Sequence, residues 1–281
     1  MRSGTRRGLE VVRGIAGEIR LAWSACPPRS FLRYGADIFA YRVMRVRRPA
    51  GYDRPRSIRL RSGVEVTYRL TRGDIQTVRE VCFQEAYRLP FDLPGSGGTL
   101  VDLGGNIGLA SVYLARRHRF ARVVIVEPVA ANADLARLNC KRNGIDAEVV
   151  QAAVAPEAGE VGFVLTDEHN QGHIDPASSG GLRVPATTVP HLVGAAGTIR
   201  LVKMDIEGAE GPLLADGPDW LDRVEALIGE FHPDVVDYPS LVELLTQRGF
   251  AFFPGGSVLP HSADAFLRAP FSRISGSVTN Q

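Results

Sequence analysis

Several acids in this sequence follow short apolar runs of the kind that form buried strands. Asp102 lies in the run 99–103 and opens the glycine-rich turn D-x-G-G-N-x-G, which contains Gly104, Asn106 and Gly108. Apolar residues then recur at helical spacing, so the segment is predicted to be strand, turn and helix. Dinucleotide sites read G-x-G-x-x-G and present backbone N–H groups to a pyrophosphate, which a carboxylate at the strand end would repel. The turn therefore predicts a pocket for a ligand that carries positive charge and no phosphate.

A second acid, Glu127, has a matching position at the end of the apolar β-branched run 123–126. At the tip of the next parallel strand an acid can bind a ribose diol, because its two oxygens match the two hydroxyl donors. S-adenosylmethionine has such a ribose together with a sulfonium and an ammonium group. The next strand pattern, 147–155, would place Ala153 beside the adenine. The predicted cofactor-binding residues are Asp102, Gly104, Asn106, Gly108, Glu127, Ala153 and Asp205.

The run 199–206 predicts a fourth parallel strand and contains an unusual lysine. Lysine occurs only twice in the chain, against 31 arginines, so Lys203 in an apolar strand stands out. A buried lysine needs a partner, and Asp205, two positions on, points to the same side of the strand. The fifth strand pattern ends at Glu230 and His232. We expect all of these groups along the carboxyl edge of one parallel sheet, where ligands of open α/β sheets bind.

The run L-V-K-M-D-I-E-G-A-E at 201–210 resembles the hallmark of the FkbM family of S-adenosylmethionine-dependent O-methyltransferases. The resemblance extends from about Arg72 to His232 and includes V-D-L-G-G-N-I-G, V-E-P and E-F-H. It implies a class I methyltransferase fold and methylation of hydroxyl groups on sugars, glycolipids or secondary metabolites, with S-adenosylhomocysteine as the product of the cofactor. The residues that it places are Asp102, Gly104, Asn106 and Glu127 at the cofactor, and Asp205 and Glu207 at the reaction centre. Family members often have alanine where this chain has Gly105, a departure that we expect to be harmless.

The implied reaction is an in-line displacement, in which a hydroxyl oxygen attacks the sulfonium methyl group and loses its proton to a base. The candidate catalytic residues are His232, Asp205 and Glu207. His232 titrates in the useful range and follows a strand end. Asp205, held ionised by Lys203, suits an anchoring role better than the role of base. Glu207 is the intermediate choice for the base. With Glu230 these residues could also offer ligands to Mg²⁺, but their spacing matches no known metal motif, so a reaction without metal is favoured.

Charge is divided unevenly along the chain. Residues 1–72 hold 17 arginines, no lysine and 5 acids, whereas residues 73–281 hold 16 basic and 26 acidic residues. Apolar residues between Leu9 and Trp23 fall at helical steps with arginines off the stripe, which predicts a basic amphipathic helix. This helix could contact an anionic membrane, although packing on the main domain or on a second subunit of a homodimer is the favoured alternative. A nucleic acid partner is not expected, because the arginines come without an aromatic platform or a nucleic-acid motif.

The alternation of strand and helix patterns predicts an α/β fold, with a doubly wound, mostly parallel, Rossmann-like sheet. We expect a basic helical appendage over residues 1–56 and the methyltransferase domain over 57–281, with an insertion at about 156–190.

Segments before and after the alternating core predict a closing pair of strands and two further pocket residues. The runs 250–253 and 263–269 predict an antiparallel pair that closes the sheet. The helical pattern before the glycine-rich strand leads to Glu85 and Tyr87, which are further candidates for pocket residues.

The three cysteines are widely spaced and odd in number, which indicates neither a disulfide framework nor a zinc site and favours a reducing cytoplasm. No apolar run reaches the roughly 18 residues of a membrane span. We therefore expect a cytoplasmic protein, with peripheral contact at the inner face of the membrane as an alternative. A nicotinamide-dependent oxidoreductase is disfavoured by the position of Asp102. The remaining alternative is a membrane-associated or scaffolding protein that retains a methyltransferase fold without turnover.

Overall fold

The computed structural model describes residues 17–44, 54–165, 172–174, 182–194, 197–215, 218–231, 236–257 and 263–268. The chain forms two compact units, Met1–Gln84 and Glu85–Gln281. In the described ranges, no helix is both long enough and apolar enough to cross a membrane.

The first unit combines helices with a β-hairpin. Its elements are helix α1, of which residues 17–25 are described, α2 (Pro28–Met44), β1 (Arg56–Arg59), β2 (Glu65–Tyr68) and α3 (Arg72–Thr77), which continues into a π-helical turn (Val78–Phe83). Asp37 of α2 joins the helix to the hairpin, because its buried carboxylate accepts hydrogen bonds from Arg56 at 2.8 Å and Tyr68 at 2.7 Å. The hairpin therefore packs against α2.

The second unit is built on a seven-stranded sheet. Its strands are β3 (Thr99–Leu103), β4 (Arg122–Val126), β5 (Ala147–Val150), β10 (Ile199–Met204), β11 (Ala226–Gly229), β12 (Phe250–Phe253) and β13 (Asp264–Arg268). The order across the sheet is β12-β13-β11-β10-β3-β4-β5, in which β13 is the antiparallel strand. The connecting helices are α4 (Leu109–Arg117), α5 (Ala130–Arg142), α6 (Val189–Val193), α7 (Glu210–Leu214) and α8 (Tyr238–Gln247), with a 3-10 turn at Asp219–Arg223.

The predicted fold class is confirmed, since the sheet is mostly parallel and closes with the expected antiparallel pair. β3 pairs in parallel with β4 on one side and with β10 on the other. The chain thus leaves β3 in one direction and returns on the opposite side, which makes the carboxyl ends of these strands a topological switch point. Ligands of open α/β sheets bind at such points.

The strand predicted over 147–155 is interrupted. β5 ends at Val150 in the central sheet, and the chain turns so that the N–H of Ala152 bonds to the carbonyl oxygen of Val150 at 3.1 Å. It then enters a separate four-stranded sheet in the order β6-β9-β7-β8. The strands of that sheet are β6 (Ala153–Val154), β7 (Gly159–Leu165), β8 (Gly172–Ile174) and β9 (Leu182–Thr187). The two sheets therefore meet where the sequence predicted the adenine contact.

Candidate active site

A cleft opens at the carboxyl ends of β3, β4 and β10. The described residues that line it are Gly104, Asn106, Val126, Glu127, Pro128, Val129, Ala152, Ala153, Val154, Phe163, Asp205, Ile206 and Glu207. Six of the predicted site residues are in this set: Gly104, Asn106, Glu127, Ala153, Asp205 and Glu207. The cleft therefore lies at the topological switch point, on the carboxyl edge of the sheet where the sequence predicted these groups.

Glycine at position 104 is required by the close approach of two backbone segments. Its φ is +79°, and a Cβ atom there would lie 1.8 Å from the carbonyl oxygen of Asp205. The N–H groups of Gly104 and Gly105 both donate to the carbonyl oxygen of Val126, at 3.1 and 2.9 Å. The turn is thus held between the ends of β4 and β10, and it presents bare backbone to the cleft.

Two other glycines of the turn pack the fold and do not line the cleft. Gly108 precedes α4 with φ +78°, and a Cβ atom there would lie 2.8 Å from Cα of Ala136 in α5. A Cβ atom on Gly105 would lie 2.1 Å from Cγ2 of Ile125 in β4. Glycine at 105 is therefore required by the packing, because Ile125 occupies the space that the methyl group of an alanine would need.

Glu127 is buried and already accepts hydrogen bonds on both oxygens. Oε2 accepts from the N–H of Asn106 at 2.8 Å, and Oε1 accepts from the N–H of Val129 at 2.9 Å and from Nδ2 of Asn132 at 3.3 Å. Asn106 adopts φ +47°, a left-handed conformation that is uncommon outside glycine and that aims its N–H at Glu127. Burial raises the pKa of Glu127 to about 7, and the three hydrogen bonds partly oppose this rise.

Asp102, a predicted cofactor-binding residue, lies in β3 between Ser111 and Lys203. Its carboxylate is fully buried and is absent from the described lining of the cleft. Oδ2 accepts a hydrogen bond from the hydroxyl of Ser111 in α4 at 2.6 Å, and Oδ1 lies 3.2 Å from Nζ of Lys203. The acid thus faces α4 and a buried cation, and its contact with a cofactor stays a prediction.

The buried side chain of Lys203 links the carboxyl ends of β3 and β10. Its ammonium donates to the carbonyl oxygen of Gly104 at 2.6 Å and lies 3.2 Å from Asp102 and 3.7 Å from Asp205. Burial lowers the pKa of Lys203, but the neighbouring carboxylates outweigh it and the pKa is raised overall. The predicted partner Asp205 is therefore correct but incomplete, because Asp102 is nearer.

A buried tyrosine connects two carboxylates at the ends of β10 and β11. The hydroxyl of Tyr87 donates to Oδ2 of Asp205 at 3.0 Å and lies 3.3 Å from Oε1 of Glu230. Burial and the two acids raise the pKa of Tyr87 well above its usual value, so the hydroxyl stays protonated. Glu85, the other candidate of that segment, instead pairs with Arg88 and Arg117.

Glu207 lines the cleft from a strained turn after β10. Its φ is +54°, and such a conformation in a residue other than glycine persists only where its surroundings hold it. Glu210 contributes to that restraint, because its buried side chain accepts a hydrogen bond from the N–H of Ile206 at 3.1 Å. His232, the remaining catalytic candidate, lies outside the described residues, so its role stays a prediction.

Phe163 was missed by the sequence analysis. It belongs to β7 of the small sheet, where its buried ring packs with Ala153 and Val184 and reaches the cleft. A phenylalanine in an alternating strand is most often an ordinary core residue, so the sequence carried no signal that it lines the cleft. The insertion thus contributes to the site.

The cleft is acidic. Of the described residues that line it, Glu127, Asp205 and Glu207 are acids and none is basic. Across the described part of the chain, no group of three or more His, Cys, Asp or Glu side chains is arranged to hold a metal ion.

A family model described as the Methyltransferase FkbM domain matches residues 102–252, which is more than half of the chain. The chain belongs to the FkbM methyltransferase family. Membership confirms the resemblance that the run at 201–210 carries, with S-adenosylmethionine as the cofactor. The match begins at Asp102 and ends within β12, so it spans the cleft and most of the central sheet.

No curated protein matches this FkbM-family chain. Solved structures that are similar to it include a precorrin-6y C5,15-methyltransferase from Geobacter metallireducens, with 14% identity, 64% of this chain and 72% of that chain covered, and a TM-score of 0.36. An rRNA methylase from Streptococcus thermophilus is 12% identical, with 62% of this chain and 87% of that chain covered and a TM-score of 0.38. A tRNA (uracil-54, C5)-methyltransferase from Pyrococcus abyssi, in complex with S-adenosyl-L-homocysteine, is 14% identical. In this comparison 76% of this chain and 43% of that chain are covered, and the TM-score is 0.37.

Proposed function

We propose that this FkbM-family protein transfers a methyl group from S-adenosylmethionine to a hydroxyl oxygen of a sugar, a glycolipid or a secondary metabolite. The observation that carries the proposal is the charge of the cleft, whose described lining has three acids and no basic side chain. Such a lining attracts a cation and repels phosphate. It therefore suits the sulfonium and ammonium groups of the cofactor and disfavours a dinucleotide.

The residues around the cleft fit the cofactor. Gly104 and Asn106 would bind its methionine part, because their turn presents backbone rather than bulky side chains. Glu127 would accept the two ribose hydroxyls, and Ala153 with Phe163 would border the adenine. When bound, the cofactor supplies an electrophilic methyl group on a sulfonium, whose leaving group is a neutral thioether. The protein's tasks are then alignment of the acceptor and removal of its proton.

Asp102 and Lys203 are proposed to support this site without contacting the cofactor. Lys203 holds the carbonyl oxygen of Gly104 and lies between Asp102 and Asp205, so it fixes the ends of β3 and β10 relative to each other. In this role Asp102 keeps Lys203 charged and in place, and it acts on the cofactor through the shape of the turn.

Asp205 and Glu207 are proposed to face the acceptor. Oδ2 of Asp205 is occupied by the hydroxyl of Tyr87, which leaves Oδ1 to accept a hydrogen bond from a second hydroxyl of the acceptor, next to the one that is methylated. That bond orients the nucleophilic oxygen. Glu207 and His232 are the proposed bases that take the proton from it, a step typically worth about 10² to 10⁴ in rate.

The acceptor is proposed to be a small molecule or a lipid-linked sugar rather than a nucleic acid. Proteins that hold nucleic acids place lysines and arginines along the phosphate backbone. The described lining of this cleft has none. An uncharged polyol can approach the acidic lining and donate hydrogen bonds to it.

The first experiment is calorimetric titration of the purified protein with S-adenosylmethionine and S-adenosylhomocysteine, each with Mg²⁺ and with EDTA. We expect micromolar binding of both that is independent of Mg²⁺, and loss of binding in Glu127→Ala. The matched control is Glu148→Ala, which removes an exposed acid of β5 that pairs with Arg122 on the surface. Failure of the wild-type protein to bind either ligand would refute the proposal and leave a scaffolding protein as the better account.

The second experiment tests the acceptor. Transfer of label from S-[methyl-³H]adenosylmethionine is measured to a panel of glycosides, glycolipids and polyketide alcohols, with amines and RNA as competing acceptors. Label in an ether product supports hydroxyl methylation, whereas label in RNA or in an amine would overturn it. On the best acceptor, pH–rate profiles of His232→Ala and Glu207→Gln then separate the two bases, because loss of the base removes the acidic limb of the profile.

A further inference from the structure

The first unit exposes large apolar side chains that the methyltransferase reaction does not use. Among the described residues, the large hydrophobic side chains that are exposed are Ile19 (52%), Trp23 (53%), Leu32 (70%), Phe39 (70%) and Leu182 (51%). All but Leu182 lie on α1 and α2. Single exposed hydrophobics are ordinary, but a group of them on one helix pair indicates a binding surface.

These side chains are contiguous. Ile19 of α1 and Phe39 of α2 line one apolar groove, together with Phe31. The ring of Trp23 packs edge-on against Phe31, with 5.0 Å between the ring centroids. Trp23 therefore extends the apolar surface of the groove along α1.

The exposed face of α2 continues the same surface. Leu32 and Phe39 are seven residues apart, which is two helical turns, so they lie on one side of the helix. Gly35 and Ala36, the residues between them on that side, are exposed as well. The result is a low apolar ridge without charged side chains between its two ends.

The charge around this surface is positive. Arg20, Arg29 and Arg33 are exposed on the two helices. Of the acids in the described parts of these helices, Asp37 is buried and pairs with Arg56, and Glu18 lies at the groove. The wider segment 1–72 has 17 arginines, no lysine and 5 acids. Among the described residues, the surface therefore combines exposed aromatic and aliphatic side chains with three exposed arginines against one acid at the groove.

We propose that the face formed by α1 and α2 docks on the surface of an anionic lipid bilayer. Ile19, Trp23, Leu32 and Phe39 enter the boundary between headgroups and acyl chains, and Arg20, Arg29 and Arg33 bind the headgroup phosphates. Charge complementarity selects this occupant, because two copies of a face with the same positive charge repel each other, whereas an anionic bilayer attracts both the arginines and the apolar side chains. Tryptophan and arginine are also the residues that membrane interfaces favour.

The expected contributions of the arginines and the apolar side chains predict a reversible interaction with the bilayer. Each arginine near an anionic surface contributes about fivefold to the partition coefficient, and each large side chain that leaves water contributes about tenfold. Three arginines and a few apolar side chains therefore give peripheral association that high salt weakens.

The test is flotation of the full chain with vesicles of phosphatidylcholine alone and with 30% phosphatidylglycerol, at low and high salt. We expect binding to the anionic vesicles only. The double variant Leu32→Ser/Phe39→Ser should bind about 100-fold more weakly, and Arg20→Gln/Arg29→Gln/Arg33→Gln should lose a similar factor. Leu182→Ser is the matched control, because it removes an exposed leucine outside this face, and it should bind as the wild type does.

The variants concern exposed side chains, and their folding is checked by melting temperature and by titration with S-adenosylhomocysteine, which reports on the second unit separately. Absence of binding to anionic vesicles by the wild type would overturn the proposal. Equal binding by the wild type and both multiple variants would also overturn it, since another surface would then be responsible. Concentration-dependent dimers that only Leu32→Ser/Phe39→Ser abolishes, without vesicle binding, would identify a second copy as the occupant instead.

Discussion

The ammonium group of Lys203 donates a hydrogen bond of 2.6 Å to the carbonyl oxygen of Gly104. This bond joins the lysine of the K-M-D-I-E-G run to the glycine-rich turn, two motifs that are far apart in the sequence. The same ammonium lies within 3.7 Å of both Asp102 and Asp205. An arginine would need more room and carries its donors in a planar fork, which favours a lysine here in a chain where arginine is far more common.

Replacement of Lys203 should therefore destabilise the fold as well as the site. Lys203→Met leaves the carboxylate of Asp102 buried without its cation, which typically costs about 3 to 5 kcal/mol. The measurement is the free energy of unfolding by urea. Lys141→Met is the control, because Lys141 is the other lysine of the chain and is exposed. Asp102→Asn/Lys203→Met should recover part of the loss, and a double variant no more stable than Lys203→Met would contradict the assignment.

Cofactor binding should depend on the ionisation of Glu127. Burial raises the pKa of this acid to about 7 in the free protein, and the ionised form is the one that accepts two ribose hydroxyls. Affinity is therefore full above that pKa and falls as the pH drops through it, by about tenfold from pH 8 to pH 6. Calorimetry with 5′-methylthioadenosine isolates this effect, because the ligand lacks the amino acid part. A pH dependence that persists in Glu127→Gln would assign the titration to another group.

Gly105 should tolerate no side chain while Ile125 is present. Gly105→Ala places a methyl group 2.1 Å from Cγ2 of Ile125, and overpacking of this kind typically costs about 1 to 3 kcal/mol. The melting temperature of Gly105→Ala should fall, whereas Gly211→Ala, where the added Cβ would meet Val236 at 3.6 Å, should leave it unchanged or raise it. Additive losses in Gly105→Ala/Ile125→Ala would argue against the clash, because removing Cγ2 should relieve it.

Tyr87 should act on turnover more than on cofactor binding. Tyr87→Phe removes the donor to Asp205 and leaves the carboxylate free to rotate, so kcat should fall by about threefold to tenfold, with the affinity for S-adenosylhomocysteine unchanged. Tyr34→Phe is the matched control, because the buried hydroxyl of Tyr34 has no hydrogen-bond partner among the described residues. An equal loss of cofactor affinity in Tyr87→Phe would indicate that the tyrosine supports the whole cleft rather than the acceptor side.

Much of the cleft could be predicted because its signals are local. The glycine spacing around Gly104 and the acid after an apolar run at Glu127 are patterns of adjacent residues, and each is decided by the backbone conformation of a few residues. The antiparallel closing pair was also visible, since strand patterns at 250–253 and 263–269 flank a short connection. These predictions required no knowledge of which segments lie side by side.

The positions of Asp102 and Tyr87 required that knowledge. Lys203 stands in register with Asp102 across β10 and β3, and a shift by one residue would turn the lysine to the other face of the sheet. The register depends on the packing of the whole sheet, so the nearer partner of Lys203 could not be deduced from a two-residue spacing. Tyr87 likewise reaches Asp205 only because distant segments pack together.

By itself, the sequence determined the class of fold, the glycine-rich turn and the acids at the strand ends, because short-range periodicity and backbone freedom are properties of neighbouring residues. Only the tertiary structure decided which of those acids enter the cleft. It turned Asp102 inward to Ser111 and Lys203 and left Glu127 and Asp205 at the surface of the cleft. The physical reason is that a carboxylate at a strand end can be accommodated on either side of the sheet, and long-range packing around a buried cation selects the side.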